Sequence, residues 1–244
     1  MKTAVVFKWC NNPQDALVKS DGSVDWGKAK LSPTDDDHAA MDVARSLSAE
    51  SDIVGITLDG GKADWAAARG AASTILGVGL EDHADVMERA QALKMLVDSA
   101  GDVDVVTIGD SDWDQALVAA LASKLGCPAF AGVVKCEPAG ESIRVYCKNG
   151  AATNTVSVKP PVFIACKALS KEAAAPSMKQ TLAARKKPTE KIDVSGSKAT
   201  SHASIKTLRA IQDEAQPVVL FDNQDVRQAC ADLVATLQSE GVLD

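Results

Sequence analysis

The sequence is short of aromatic side chains, with four Phe, four Trp and one Tyr in 244 residues. Alanine and valine carry the apolar content instead, a palette suited to helices packed closely on a parallel sheet. Basic charge is not in surplus either. The formal net charge is −7, which argues against nucleic acid and against an anionic membrane surface as partners. No apolar run approaches the roughly 20 residues of a membrane-spanning helix. Met1-Lys2 leads into Ala4–Phe7, too short an apolar stretch for a signal peptide, so a cytoplasmic protein is expected. The six cysteines, at 10, 127, 136, 147, 166 and 230, form no Cys-x-x-Cys pair. The spacing that metal sites and dithiol motifs need is therefore missing, and the thiols read as small buried hydrophobes in a reducing compartment. There is no Gly-x-Gly-x-x-Gly run, no phosphate-binding P-loop and no nucleophile elbow. His38, His83 and His202 are scattered. Together these absences favour a carrier or binding subunit over a hydrolase.

What is present is alternation. Thr3–Phe7, Ile53–Leu58 and Val103–Ile108 read as buried strands. Helical patterns cover 37–49, 63–72, 83–100 and 113–125, the last ending at Gly126 before Pro128. Strand and helix in turn predict an α/β fold, a parallel sheet with helices on both faces. After Pro128 the texture changes to short strands at 129–135, 142–147, 155–158 and 162–166, separated by Pro138-Ala139-Gly140 and Lys148-Asn149-Gly150. Both are turn sequences, so an antiparallel addition is expected to extend or cap the sheet. From Lys167 to about Ser204 little apolar patterning is left. That stretch reads as an extended arm, broken by a short helix at 177–185. Helices at about 204–213 and 225–240 flank a strand-like Val218–Phe221.

Ligands of open parallel sheets sit outside the carboxyl ends of the strands. The rule points to Val6-Phe7-Lys8, to Leu58-Asp59-Gly60-Gly61 and to Gly109-Asp110-Ser111-Asp112. The last two are short turns that could hold a nucleotide at a helix N-terminus, or be ordinary strand-to-helix connections. Lys8 is placed either to pair with a phosphate or to be solvated. Asp35-Asp36-Asp37-His38 stands directly before an Ala-rich helix, where capping and the helix dipole explain the acids better than a metal does.

One further stretch, Pro176-Ser177-Met178-Lys179-Gln180-Thr181-Leu182-Ala183-Ala184-Arg185-Lys186-Lys187-Pro188, announces a short helix with Pro-Ser and closes it with basic residues and a proline. Met178 and Leu182, four apart, share one face, as a docking element would require. This segment resembles the partner-recognition segment of electron transfer flavoprotein (ETF) beta subunits. Three other segments resemble the same family in the same order. Val5–Trp9, followed by Pro13 and Asp21–Trp26, is similar to the ETF beta opening, especially its Fix-type branch. Ser32-Pro33-Thr34-Asp35, leading to His38–Ala44, is similar to the family's Asn-Pro-x-Asp element and its helix. Gly109-Asp110, Gln115 and Leu125–Pro128 are similar to its nucleotide turn.

The resemblance implies a heterodimer of a beta subunit with a Rossmann-like fold (of the adenine nucleotide alpha hydrolase kind) and an alpha subunit that mainly holds FAD. Electrons would pass from an acyl-CoA or similar dehydrogenase towards a quinone or ferredoxin pathway, and this chain would be a carrier subunit rather than an enzyme. It implies residues 1–190 as the nucleotide-binding domain and 191–244 as an arm and helix contacting the alpha subunit. The nucleotide, AMP or a second FAD, would meet Val6, Lys8, Ser32, Pro33, Thr34, Asp35, Asp59, Gly109, Asp110, Gln115 and Val118. A dehydrogenase would dock on Met178, Leu182, Lys186 and Lys187. The chain departs from the family at the turn itself. A hydroxyl and a glycine give way to Trp113 or Asp114 and to Val118, and added carboxylates repel a phosphate. The departures weigh against a second FAD and leave open whether AMP binds. Two other readings exist. One is a stand-alone adenine-nucleotide-binding regulator of the universal-stress type. The other is an enzyme on a small substrate with Lys8, Asp59 and Asp110 converging.

Overall fold

A computed structural model describes residues 1–81, 84–110, 114–150, 152–169, 175–197 and 225–243. The elements in chain order are β1 (Thr3–Val6), β2 (Cys10–Asn11), β3 (Leu17–Val18), β4 (Val24–Asp25), β5 (Leu31–Ser32), α1 (Asp35–Leu47), β6 (Ile53–Leu58) and β7 (Ser73–Val78). They continue with α2 (Val86–Ser99), β8 (Val105–Gly109), α3 (Gln115–Leu125), β9 (Ala129–Ala139), β10 (Ser142–Asn149), β11 (Ala152–Val158), β12 (Val162–Cys166), α4 (Met178–Ala184), β13 (Thr189–Asp193) and α5 (Val226–Ser239).

Nine strands form one sheet in the order β11-β10-β9-β12-β8-β1-β6-β7-β13. From β9 to β13 every pairing is parallel, and β10 and β11 continue the sheet antiparallel. The α/β architecture with an antiparallel extension is therefore present. The two-residue ladders β2–β5 and β3–β4 stand apart from it. All of β1 is buried, and its residues and the following Phe7 alternate between two cores. Ala4 and Val6 join α2 and α3 through Leu93, Leu96, Leu117 and Leu121, whereas Val5 and Phe7 join α1 through Met41 and Leu47. Burial on both faces is why the central strands read as continuous apolar runs. Gly126 closes α3 with φ +65°, a conformation that a side chain would strain.

Two segments differ from the sequence reading. Residues 63–72 do not form a helix. They form two single 3₁₀ turns, Ala63–Trp65 and Ala67–Arg69, and lead into β7, a strand that the apolar pattern had not separated from its Ala-rich approach. The supposed arm after Lys167 contains α4 and also β13, a parallel edge strand on β7. Four of the five β13 residues are exposed, so backbone pairing rather than an apolar stripe places it. The expected helix at 204–213 and strand at 218–221 lie outside the described residues. Among the described residues no helix is long and apolar enough to cross a membrane.

The chain divides into two compact units, residues 1–17 with 25–207, and residues 18–24 with 208–244. The first holds the sheet. In the second, α5 starts at Asp225, whose carboxylate accepts from the Arg227 amide. No residue of α5 is buried, although Val226, Ala229, Cys230, Leu233, Val234 and Leu237 fall at helical spacing on one face.

Candidate functional site

The chain leaves β1 for β6 and β7 on one side, then crosses back through α2 to β8 and β12 on the other. This reversal beside β1 opens a crevice at the carboxyl ends of the strands. A cavity of about 620 Å³ lies there, lined among others by Lys8, Trp9, Thr57, Asp59, Leu80 and Arg89. Lys8 is 5% exposed, and its Nζ donates to the Gly109 carbonyl at 3.1 Å, tying the end of β1 to the end of β8.

The start of α1 lies against the end of β8. Thr34 is its N-cap, and the Asp37 carboxylate accepts from the Thr34 amide at 2.8 Å and from its hydroxyl at 2.9 Å, while Thr34 Oγ1 accepts from the Asp37 amide at 3.2 Å. This is a reciprocal capping box. Asp37 is fully buried. Burial pushes its carboxyl above the usual range, with the Lys8 charge and the Thr34 donors pulling the other way. The three consecutive carboxylates diverge. Asp36 Oδ1 accepts from the Ala168 amide at 2.7 Å, and Asp35 lines a separate groove with His38 and Lys135 between α1 and β9. Gly109 lies so close to this turn that a Cβ would fall 2.6 Å from the Asp37 amide nitrogen. Asp110 faces away from the crevice, its Oδ2 accepting from the Gly132 amide at 2.9 Å.

The wall is made by α2 and α3. Asp85 caps α2 in a second reciprocal box with Glu88, which orients the first turn and the Arg89 that follows it. Arg89 Nη2 donates to Asp114 Oδ2 at 3.0 Å. Asp114 is the N-cap residue of α3, yet its side chain makes no capping bond to that helix. Burial pushes the Cys10 thiol up, with the Asp37 charge acting the same way and the Lys8 charge against it.

Of the residues singled out for a nucleotide, the fold brings Lys8 and Asp59 to the crevice, with the Gly109 carbonyl held by Lys8. Ser32 pairs with Cys10 in a short ladder, and Pro33 leads to the Thr34 cap. Val6 and Val118 are core residues, and Gln115 is exposed on the first turn of α3. Arg89 and Trp9 were missed, whereas Asp114 stood out as an added carboxylate at the turn, and the fold pairs it with Arg89. The Asp-x-x-Glu box at 85–88 is the one local signal that could have announced Arg89. The cavity has room for a nucleoside. Lys8 and Arg89 bring positive charge and remaining N–H donors to its lining, each with one bond made inside the fold, while Asp59 and Glu81 bring acid to the same lining.

Behind α1, Trp65 stacks on Phe7 with ring centroids 5.0 Å apart, meets His38 edge-on at 5.1 Å, and carries the Arg69 guanidinium 4.3 Å above its ring. Arg69 Nε donates to His38 Nδ1 at 3.4 Å, which requires an unprotonated Nδ1. Burial lowers the His38 pKa below its ordinary 6.5, and Arg69 lowers it further. The folded chain therefore binds this proton less well than the unfolded chain. The stability this contributes is complete above pH 6.5 and declines as pH falls through the lower folded value. Thermal midpoints should drop between pH 7 and pH 5, and His38→Asn should flatten that slope. An unchanged slope would show that His38 does not carry it.

At the far edge, Ser177 caps α4 in a third box with Gln180. Ala184 packs at 2% exposure on Ala67 and Ala68, leaving Met178 81% and Leu182 53% exposed. A hollow of about 560 Å³ is lined by these two with Lys179, Ala183 and Lys186. Lys187 is turned inward, its Nζ donating to the Ala67 and Ala71 carbonyls at 3.1 and 2.8 Å.

Comparison with curated proteins finds no match. The family model of the electron transfer flavoprotein domain matches residues 27–197, a span from the loop before α1 to just beyond β13 that takes in α2 and α3 beside the crevice and also α4. With well over half of its length matched, the chain belongs to the electron transfer flavoprotein domain family.

Proposed function

We propose that the chain is the beta subunit of an electron transfer flavoprotein, of the Fix-type branch. It would pair with an alpha subunit that mainly holds FAD. It would act as a carrier subunit rather than an enzyme, between a dehydrogenase of the acyl-CoA or similar type and a quinone or ferredoxin pathway. The observation that carries this reading is α4. A helix seated on the body through Ala184 turns two large apolar side chains, Met178 and Leu182, into solvent inside the stretch that matches the family. Exposed apolar anchors of this kind are docking points, and Lys186 beside them suits an acidic rim on the dehydrogenase. The unburied apolar face of α5 supports the alpha subunit as partner of residues 191–244, with 1–190 as the nucleotide-type domain.

Bound FAD would supply the reversible electron transfer. This chain's own residues would shape its surroundings and bring the partner close. We read one FAD per heterodimer and no second flavin in the crevice, because Arg89 is already paired. The test is to coexpress the chain with an FAD-binding alpha subunit, purify the complex and count the released nucleotides. One FAD in a 1:1 complex is expected, and failure to copurify would sink the reading. Met178→Glu should leave the complex intact and reduce electron transfer from the dehydrogenase by about tenfold or more, since a hot-spot truncation costs 2 kcal/mol or more. Equal rates would show that α4 is not the docking point.

A further inference from the structure

We propose that β11 is a pairing edge for a second copy of this chain, the two strands running antiparallel about a two-fold axis at Thr155. The two ends of the nine-stranded sheet are built differently. At one end β13 carries Glu190, Lys191 and Asp193, and charge of this kind keeps foreign strands from a sheet edge. At the other end β11 reads Ala-Thr-Asn-Thr-Val-Ser-Val from Ala152 to Val158, with neither charge nor proline. Six of its seven residues are exposed, and among the described residues only β10 pairs with it. The neighbouring strands decide which backbone groups stay open. Pro138 on β9 stands opposite Ile143 on β10 and has no N–H to give, so Ile143 turns its own N–H and carbonyl to Val158 on β11. By alternation Val156, Asn154 and Ala152 are bonded to β10 as well. The N–H and carbonyl groups of Thr153, Thr155 and Ser157 therefore point out of the sheet.

The sequence of the strand argues for a copy of itself as the occupant. β11 has no charge with which to select a foreign strand. Reversed upon itself about Thr155, it sets Thr155 against Thr155, Thr153 against Ser157, Asn154 against Val156 and Ala152 against Val158. Hydroxyl pairs are favourable cross-strand contacts, and no like charges meet, which would be destabilising. The axis also matches every outward N–H of one copy with an outward carbonyl of the other. Lys159, the first charge beyond the strand, is turned to Glu141 at 3.4 Å. A contact one strand wide is small for a specific interface, so a dissociation constant of about micromolar order or weaker is expected.

The test is sedimentation equilibrium of the purified full-length chain across a range of concentrations. It compares the native protein, Thr155→Pro, Thr155→Lys, Thr155→Glu and an equal mixture of the last two. The native chain should shift from monomer to dimer as concentration rises. Thr155→Pro removes an N–H that faces outward, a change an edge strand tolerates. It deletes that donor from both copies, so the dimer should weaken by about tenfold or more. Thr155→Lys and Thr155→Glu each oppose like charges across the axis and should also weaken it. Their mixture should dimerise better than either alone, because an axis at Thr155 sets the new lysine against the new glutamate. A native chain that stays monomeric would overturn the proposal. If Thr155→Pro then impaired copurification with an alpha subunit, the edge would belong to that subunit instead. A dimer indifferent to Thr155→Pro, or a mixture no better than its components, would equally overturn it. Thermal melting establishes that each variant is folded, and should Thr155→Pro fail to fold, the two charge variants and their mixture decide alone. None of these outcomes depends on the electron-carrier reading.

Discussion

Replacing Asp37 by Ala should lower the stability of this chain by about 3 kcal/mol. The effect has two parts. Losing the reciprocal half of the Thr34 capping box costs about 1 kcal/mol. The larger share, about 2 kcal/mol, comes from the buried Thr34 amide and hydroxyl left without their acceptor. For a chain of this size the thermal midpoint should fall by about 6–12 °C. The Asp37 charge also acts on nearly buried Lys8, so adding Lys8→Met to Asp37→Ala should recover part of the loss. Denaturant melts of the four proteins in this cycle measure the coupling directly. Additive losses would show that Lys8 and Asp37 act independently.

Gly109→Ala should cost about 3 kcal/mol, at the upper end of overpacking effects. The added Cβ would lie 2.6 Å from the Asp37 amide nitrogen and 2.8 Å from the Asp36 carbonyl carbon. Both are backbone atoms and cannot turn aside as a side-chain tip would. Either α1 must withdraw from β8 or the end of β8 must bend, and each response pulls the Gly109 carbonyl from Lys8. A urea melt should show the lowered midpoint. A loss below about 1 kcal/mol would mean that the contact between α1 and β8 relaxes freely.

Both variants act where distant segments meet, and this is where legibility in the sequence changes. The central strands could be read because each had to be apolar throughout. Val5, Ile56, Val106 and Ile164 are buried in a sheet covered on both faces, which leaves an unbroken β-branched run as a trace. The position of Lys8 and Asp59 at the crevice could be read because a polar residue just past such a strand stands at the open end of the sheet. The exposed pair on α4 was legible from the i, i+4 spacing of Met178 and Leu182, and Ser177 marked the helix start.

β7 was not legible, because Ser73–Val78 follows an Ala-rich stretch whose composition suits a helix. β13 was not legible, because its Thr-Glu-Lys-Ile-Asp sequence carries no apolar face and is held by the open edge of β7. Lys187 looked like part of a basic docking cluster until the chain at 67–71 placed two carbonyls before it.

By itself, then, the sequence determined the α/β alternation, the strand ends where a ligand could sit, and the family, since all of these depend on local periodicity and on segments a dozen residues long. The tertiary structure alone decided the character of the crevice. Arg89 and Asp114 are 25 positions apart on two helices, and neither residue announces the other. Whether a cation near a nucleotide-type site is free or neutralised depends on a distance of a few ångströms, because Coulomb attraction strengthens steeply at contact and is screened beyond it. Only the packing of α2 against α3 sets that distance.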